Sequence, residues 1–183
     1  MHQKLYIINK KFYSTHTKGK INKRWEIVNI LRFTHVFYFA FTWLLAFVVI
    51  KPRRIKELLP IAILSILALT LVDVYIISLG LYKFNNPLIN VLGAPLFHLL
   101  WAGAAGIFFV NYMKQGFAKK FVMVVFFTII TLLLEFISER AGVASRLGNY
   151  SILHSAFLDF ATLVILLWIS EGLYGNRIYK HGK

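Results

Sequence analysis

Five apolar runs, at residues 33–50, 58–82, 88–112, 121–138 and 153–174, constrain this chain more than any other feature. Each holds 18 to 25 residues. At a rise of about 1.5 Å per residue, ~20 helical residues cross a hydrocarbon core of about 30 Å, so the first and fourth runs only just reach. Lipid offers no water to backbone N–H and C=O groups, so each run is expected to be a helix that satisfies its own backbone. A soluble domain of 183 residues, 58% of them hydrophobic, could not bury that much apolar surface in one core. The expected fold class is therefore all-α, a polytopic transmembrane helical bundle of about five helices. The bundle occupies residues 33–175. It follows a basic N-terminal tail at 1–32 and precedes a short basic tail at 176–183.

Charge sits between the runs. The 21 Lys and Arg against 7 Asp and Glu would suggest nucleic acid in a soluble domain, but here they flank apolar segments, the pattern of loops that meet anionic headgroups. The expected partners are the bilayer, anionic headgroups at the basic loops, and a membrane-protein partner or second copy of the chain; nucleic acid is not expected. In the tail, Ile21, Trp25, Val28 and Leu31 recur at helical spacing among basic residues, which predicts an amphipathic helix on the membrane surface. An early start of the first membrane helix reads the same residues equally well.

Five crossings place the loop Lys51-Pro52-Arg53-Arg54-Ile55-Lys56, the loop bearing Lys114, Lys119 and Lys120, and the C-terminal tail on one side. That side carries 10 basic residues, against 3 (Lys83, Arg140 and Arg146) in the opposite loops. The positive-inside rule makes it cytoplasmic, for a multi-pass protein of the cell membrane. The N-terminal tail, with 8 basic residues, then falls on the opposite side, so the first run is the crossing that the charge rule opposes. Phe33, Tyr82, Phe84, Tyr112, Phe117, Tyr150, Tyr174 and Tyr179, near the ends of runs, read as an interfacial aromatic belt.

The absence of cysteine excludes disulfides, thiolate metal sites and cysteine nucleophiles. What remains for chemistry is a set of ionisable residues inside the apolar runs: Asp73, His98, Glu135, His154 and Asp159. Such residues are costly in lipid and are expected to face the bundle interior. Asp73 suits a proton carrier, an ion ligand or a general acid, and equally a helix–helix hydrogen bond worth ~1 kcal/mol. Glu135 and Glu139 share a helix face four residues apart; Glu139, beside Arg140, reads as a solvated ion pair. Pro95, in Gly93-Ala94-Pro95-Leu96-Phe97-His98, is expected to break the third helix and free a carbonyl near Val91, with His98 about one turn on. Ala102-Gly103-Ala104-Ala105-Gly106 permits close helix approach. His154-Ser155 and Asp159 lack the spacing of a hydrolase triad, and no Gly-x-Ser-x-Gly, His-Glu-x-x-His or P-loop occurs. No metal and no cofactor are expected.

The stretch from Lys51 to Leu58, Asp73, the exit Gly80-Leu81-Tyr82-Lys83-Phe84, Pro95, Glu135, Gly142 and His154-Ser155 resemble an uncharacterised family of small polytopic membrane proteins of bacilli and clostridia. The resemblance covers residues 45–175 and implies the topology without an activity. A fainter similarity is to membrane lycopene-cyclase domains, which share the Asp, the Gly-x-aromatic-x-Phe exit and a Gly-x-Pro-Leu segment. In those domains acidic residues follow Pro-Leu. Here Phe97-His98 stand there, so the similarity implies a bundle with a lipidic pocket rather than cyclase activity.

The expected role is a non-enzymatic accessory, sensor or assembly protein. Two alternatives stay open: a small-solute or ion transporter using Asp73, Glu135 and His98, and an enzyme acting on an isoprenoid or lipid. Transport requires those three residues to converge on one path. The enzyme requires a deep apolar pocket with two of them at its wall.

Overall fold

The structure, a computed structural model, describes residues 32–179. Residues 21–31 of the expected amphipathic helix and the last four residues of the chain lie outside them. Five helices follow in order: α1 (Thr34–Val49), α2 (Pro52–Ser78), α3 (Leu96–Asn111), α4 (Phe117–Arg140) and α5 (Ile152–Tyr174). A 3-10 turn, Gly175–Tyr179, ends the described chain. The protein is an all-α membrane bundle. Three of its helical segments, Pro52–Ser78, Phe117–Arg140 and Ile152–Tyr179, are long and apolar enough to cross a membrane. Apolar side chains exposed along their flanks, such as Leu71, Val122, Leu153 and Trp168, suit contact with lipid rather than water.

Helices α1 and α3 are shorter, 16 residues each. At 1.5 Å per residue either spans about 24 Å, less than the hydrocarbon core. For α3 the reason is local. The expected helix at 88–112 begins only at Leu96, because 90–95 fold into a hairpin, β2 (Asn90–Val91) against β3 (Ala94–Pro95). Leu92 and Gly93 make its turn with φ of 53° and 95°, the left-handed geometry of a two-residue hairpin. Gly93 N–H donates to Asn90 Oδ1 at 2.8 Å. Pro95 therefore does not break a helix; it is the N-cap residue of α3, where its missing N–H costs nothing.

Helix α2 starts earlier than the apolar run at 58–82 suggested. Pro52 sits in its first turn, a position its fixed φ favours, and the basic first turns extend the helix beyond the hydrocarbon. Helices α2 and α4 end alike. Gly80 and Gly142 are left-handed (φ 67° and 74°). Leu81 N–H bonds Ile76 C=O and Gly80 N–H bonds Ile77 C=O; Val143 and Gly142 do the same to Ser138 and Glu139. These are two Schellman caps, each satisfying carbonyls that the helix end leaves free. Both turn the chain into short strands, β1 (Tyr82–Phe84) and β4 (Ala144–Arg146), which pair antiparallel with Tyr82 opposite Arg146.

The bundle thus has two unlike ends. At one end lie the ribbon β1–β4 and the hairpin. At the other lie the basic loops and the 3-10 turn. Arg54, although buried, holds that turn by donating from Nη2 to Ile178 C=O at 2.8 Å, and Tyr174 Oη donates to Glu57 C=O at 2.8 Å. An apolar core of Leu58, Ile61, Ile107, Phe109, Val110 and Val124 fills this basic end. The small-residue stretch on α3 does let helices approach: Gly106 faces Ser65 of α2 so closely that a Cβ would overlap the serine side chain. Helix α1 lies on α3, tied by Trp43 Nε1, which donates to Leu100 C=O at 3.1 Å.

One part of the expected aromatic belt is elsewhere. Phe33, Tyr112 and Phe117 are exposed, but Tyr82, Phe84 and Tyr150 are buried. Ribbon pairing turns Tyr82 and Phe84 to the same inner side, since alternate residues of a strand share a face.

Candidate intramembrane site

The ribbon-side halves of all five helices enclose a cavity with about 770 Å³ of empty space, counting its open side. Its wall is mostly apolar and aromatic, with Tyr38, Leu69, Tyr82, Phe84, Trp101 and Leu158 among the lining residues. Into it face Asp73 from α2, His98 from α3, Glu135 from α4 and Asp159 from α5. Four of the five ionisable residues expected to carry chemistry therefore meet in one place.

Asp73 and His98 form the most enclosed pair. His98 Nε2 lies 3.4 Å from Asp73 Oδ2, with the carboxylate side chain 7% exposed and the imidazole 23%. The alignment is too poor for a hydrogen bond, and Asp73 Oδ2 has no hydrogen-bond partner. Behind His98 stands His35 of α1, its ring centroid 5.4 Å away and both of its nitrogens buried without a partner. Phe84 touches both rings, at 5.5 Å and 5.0 Å. Trp101 stacks on the other face of the pair at 6.1 Å from His98.

Glu135 and Asp159 are held differently. Glu135 Oε1 accepts from Ser155 Oγ at 3.0 Å, and its Oε2 lies 3.1 Å from Arg146 Nη2. Arg146 also donates from Nη1 to Glu139 Oε2 at 2.7 Å. One guanidinium on the ribbon thus ties two carboxylates of α4. This corrects the expected Glu139–Arg140 pair: Arg140 turns away and lies over the Phe136 ring, 5.0 Å from its centroid. Asp159 Oδ2 accepts from Thr131 Oγ1 at 2.7 Å.

The two buried phenols complete the wall. Burial pushes the Tyr82 hydroxyl up, and the negative charge of Glu135, Glu139 and Asp73 adds to it. The Tyr150 hydroxyl is raised too, first by burial, although its hydrogen bond with Ser155 opposes this. Both stay protonated at neutral pH, so both are O–H donors.

His154 is not in the cavity. Its Nδ1 accepts from Ser151 N–H at 3.1 Å and lies 2.8 Å from Ser151 Oγ, a capping box that starts α5. Its exposed ring stacks on Tyr150. Among the described residues no three His, Asp or Glu side chains converge closely enough to hold a metal ion.

Four partners in the site were not singled out from the sequence. Arg146 reaches Glu135 only because β4 pairs with β1. His35 reaches His98 only because α1 lies on α3. Tyr82 and Tyr150 resembled belt residues. A histidine near the start of an apolar run was the one available signal for His35.

A second, smaller space continues from the first toward the basic end, past Ser65, Ala102, Ala105 and Thr162. The two share Leu69, Trp101, Thr131 and Asp159. Leu166, which lines this second space, belongs to the apolar core of the basic end. No protein-family model, curated protein or solved structure matches the chain.

Proposed function

We propose that this is a membrane protein whose cavity takes up an amphiphilic small molecule, with Asp73 and His98 as the pair that exchanges a proton with its polar end. One observation carries the reading: four ionisable side chains from four helices share one largely apolar cavity. A purely structural role for them calls for local partners. Ser155 and Thr131 serve Glu135 and Asp159 in that way, but Asp73 Oδ2 is left unmatched. Leaving a buried acceptor unsatisfied costs about 1–3 kcal/mol, which a bound donor would recover. An apolar wall with a few convergent polar groups is the ordinary form of a small-molecule site.

The reading places the protein in the cell membrane, with the basic end cytoplasmic by the positive-inside rule. A proton-coupled carrier is the second reading. It is favoured by Asp159, which lines both spaces.

The test is photolabelling in detergent micelles with an alkanol bearing an aliphatic diazirine, followed by peptide mapping. The proposal expects label on Asp73, Glu135 or Asp159. Label confined to outward residues such as Leu71, Leu153 and Trp168 would sink it.

A further inference from the structure

Resting on the reading of the cavity as a binding site, we infer that its occupant is an organic cation, a primary ammonium carried on an apolar body. In a chain with three times as many basic as acidic side chains, three of the seven carboxylates line this one cavity, and no Lys or Arg lines it among the described residues. Arg146 answers Glu135 from outside but is shared with Glu139, so one guanidinium faces two carboxylates. Asp73 and Asp159 have no fixed cation. The cavity therefore gathers more carboxyl groups than fixed cations in a medium of low dielectric, where any carboxylate calls for a counter-charge.

Asp73 decides the chemistry of that counter-charge. Its side chain is 7% exposed, lines the cavity and keeps Oδ2 without a donor, so the missing group is an N–H or O–H. In their neutral form His98 and His35 add acceptor nitrogens on the same side, and His35 has no other partner for either of its own. An ammonium brings three donors to such a set. The aromatic faces of Trp101, Tyr82 and Phe84 around it also attract cations. A metal ion does not fit, because no three ligating side chains converge and most of the wall is apolar. The remaining wall, with Leu69, Val72, Leu134 and Leu158, suits a hydrocarbon body.

The experiment is competition against the diazirine-alkanol label by octylamine, octan-1-ol and sodium octanoate, each at the same mole fraction in dodecyl maltoside micelles. The inference expects octylamine to block cavity labelling at concentrations at least tenfold below octanol, with octanoate weakest. In Asp73→Asn, read by label on Glu135, octylamine loses its advantage over octanol. Equal competition by octanol and octylamine would overturn the cation and leave the binding site standing. Absence of cavity label from the alkanol itself would remove the site and the cation together. The comparison among the three competitors uses the unmodified chain, so it stands whether or not the variant folds.

Discussion

Asp73 of α2 and His98 of α3 face each other across 3.4 Å inside a membrane bundle, and the carboxylate oxygen nearest the histidine accepts no hydrogen bond. Replacing both members of such a buried pair with apolar side chains of similar volume is often neutral or stabilising. Asp73→Leu combined with His98→Leu is thus expected to leave the thermal unfolding midpoint unchanged or raised, as followed by far-UV circular dichroism, while octylamine binding is lost. A clear drop in the midpoint would mark the pair as structural.

Arg146 is the opposite case. From the ribbon it pairs with both Glu135 and Glu139. Arg146→Met leaves two half-buried carboxylates without their cation and is expected to cost about 1–3 kcal/mol. Adding Glu135→Gln and Glu139→Gln should restore most of that. Unfolding of the single and triple variants in mixed micelles measures it. Equal losses in both would mean that the ion pairs are not what Arg146 contributes.

How much of this was legible in the sequence follows from the range of each interaction. Asp73, His98, Glu135 and Asp159 stand out because a charge or an imidazole inside an apolar run is visible in a single window. An apolar run through Leu92 hides the two-residue turn that puts Pro95 at the start of a helix and not inside one. Tyr82 and Phe84 look like belt residues because an aromatic near the end of a span reads the same whether it faces lipid or a cavity. Their direction is set by pairing with residues 144–146, some sixty positions away. Arg146 and His35 depend on such distant contacts entirely.

Close approach of α2 and α3 rests on Gly106, whose added Cβ would overlap Ser65. Gly106→Ala is expected to destabilise by about 1–3 kcal/mol through overpacking. Ser65→Gly in the same chain should relieve it. The double variant unfolding no later than Gly106→Ala alone would place the strain elsewhere.

Raised phenol values give a pH dependence. In the unfolded chain Tyr82 titrates near pH 10, while in the folded protein burial holds its proton to higher pH. Its contribution is complete below about pH 10 and is lost as pH rises through the folded value. Tyr82→Phe should therefore flatten the fall in stability above pH 10 relative to the unmodified chain. Parallel curves for the two would mean that the phenol is not buried.

The cavity lies at the ribbon end, and a buried apolar core occupies the basic end. The chain has no cysteine, so single cysteines report on it without background. Ser138, in the cavity wall, and Ser170, in the basic end, are both buried, and each hydroxyl bonds its own helix. With a charged methanethiosulfonate reagent in micelles, Ser138→Cys is expected to react at least tenfold faster than Ser170→Cys, and octylamine to slow only the former. Two cysteines equally unreactive, or equally reactive, would contradict the account.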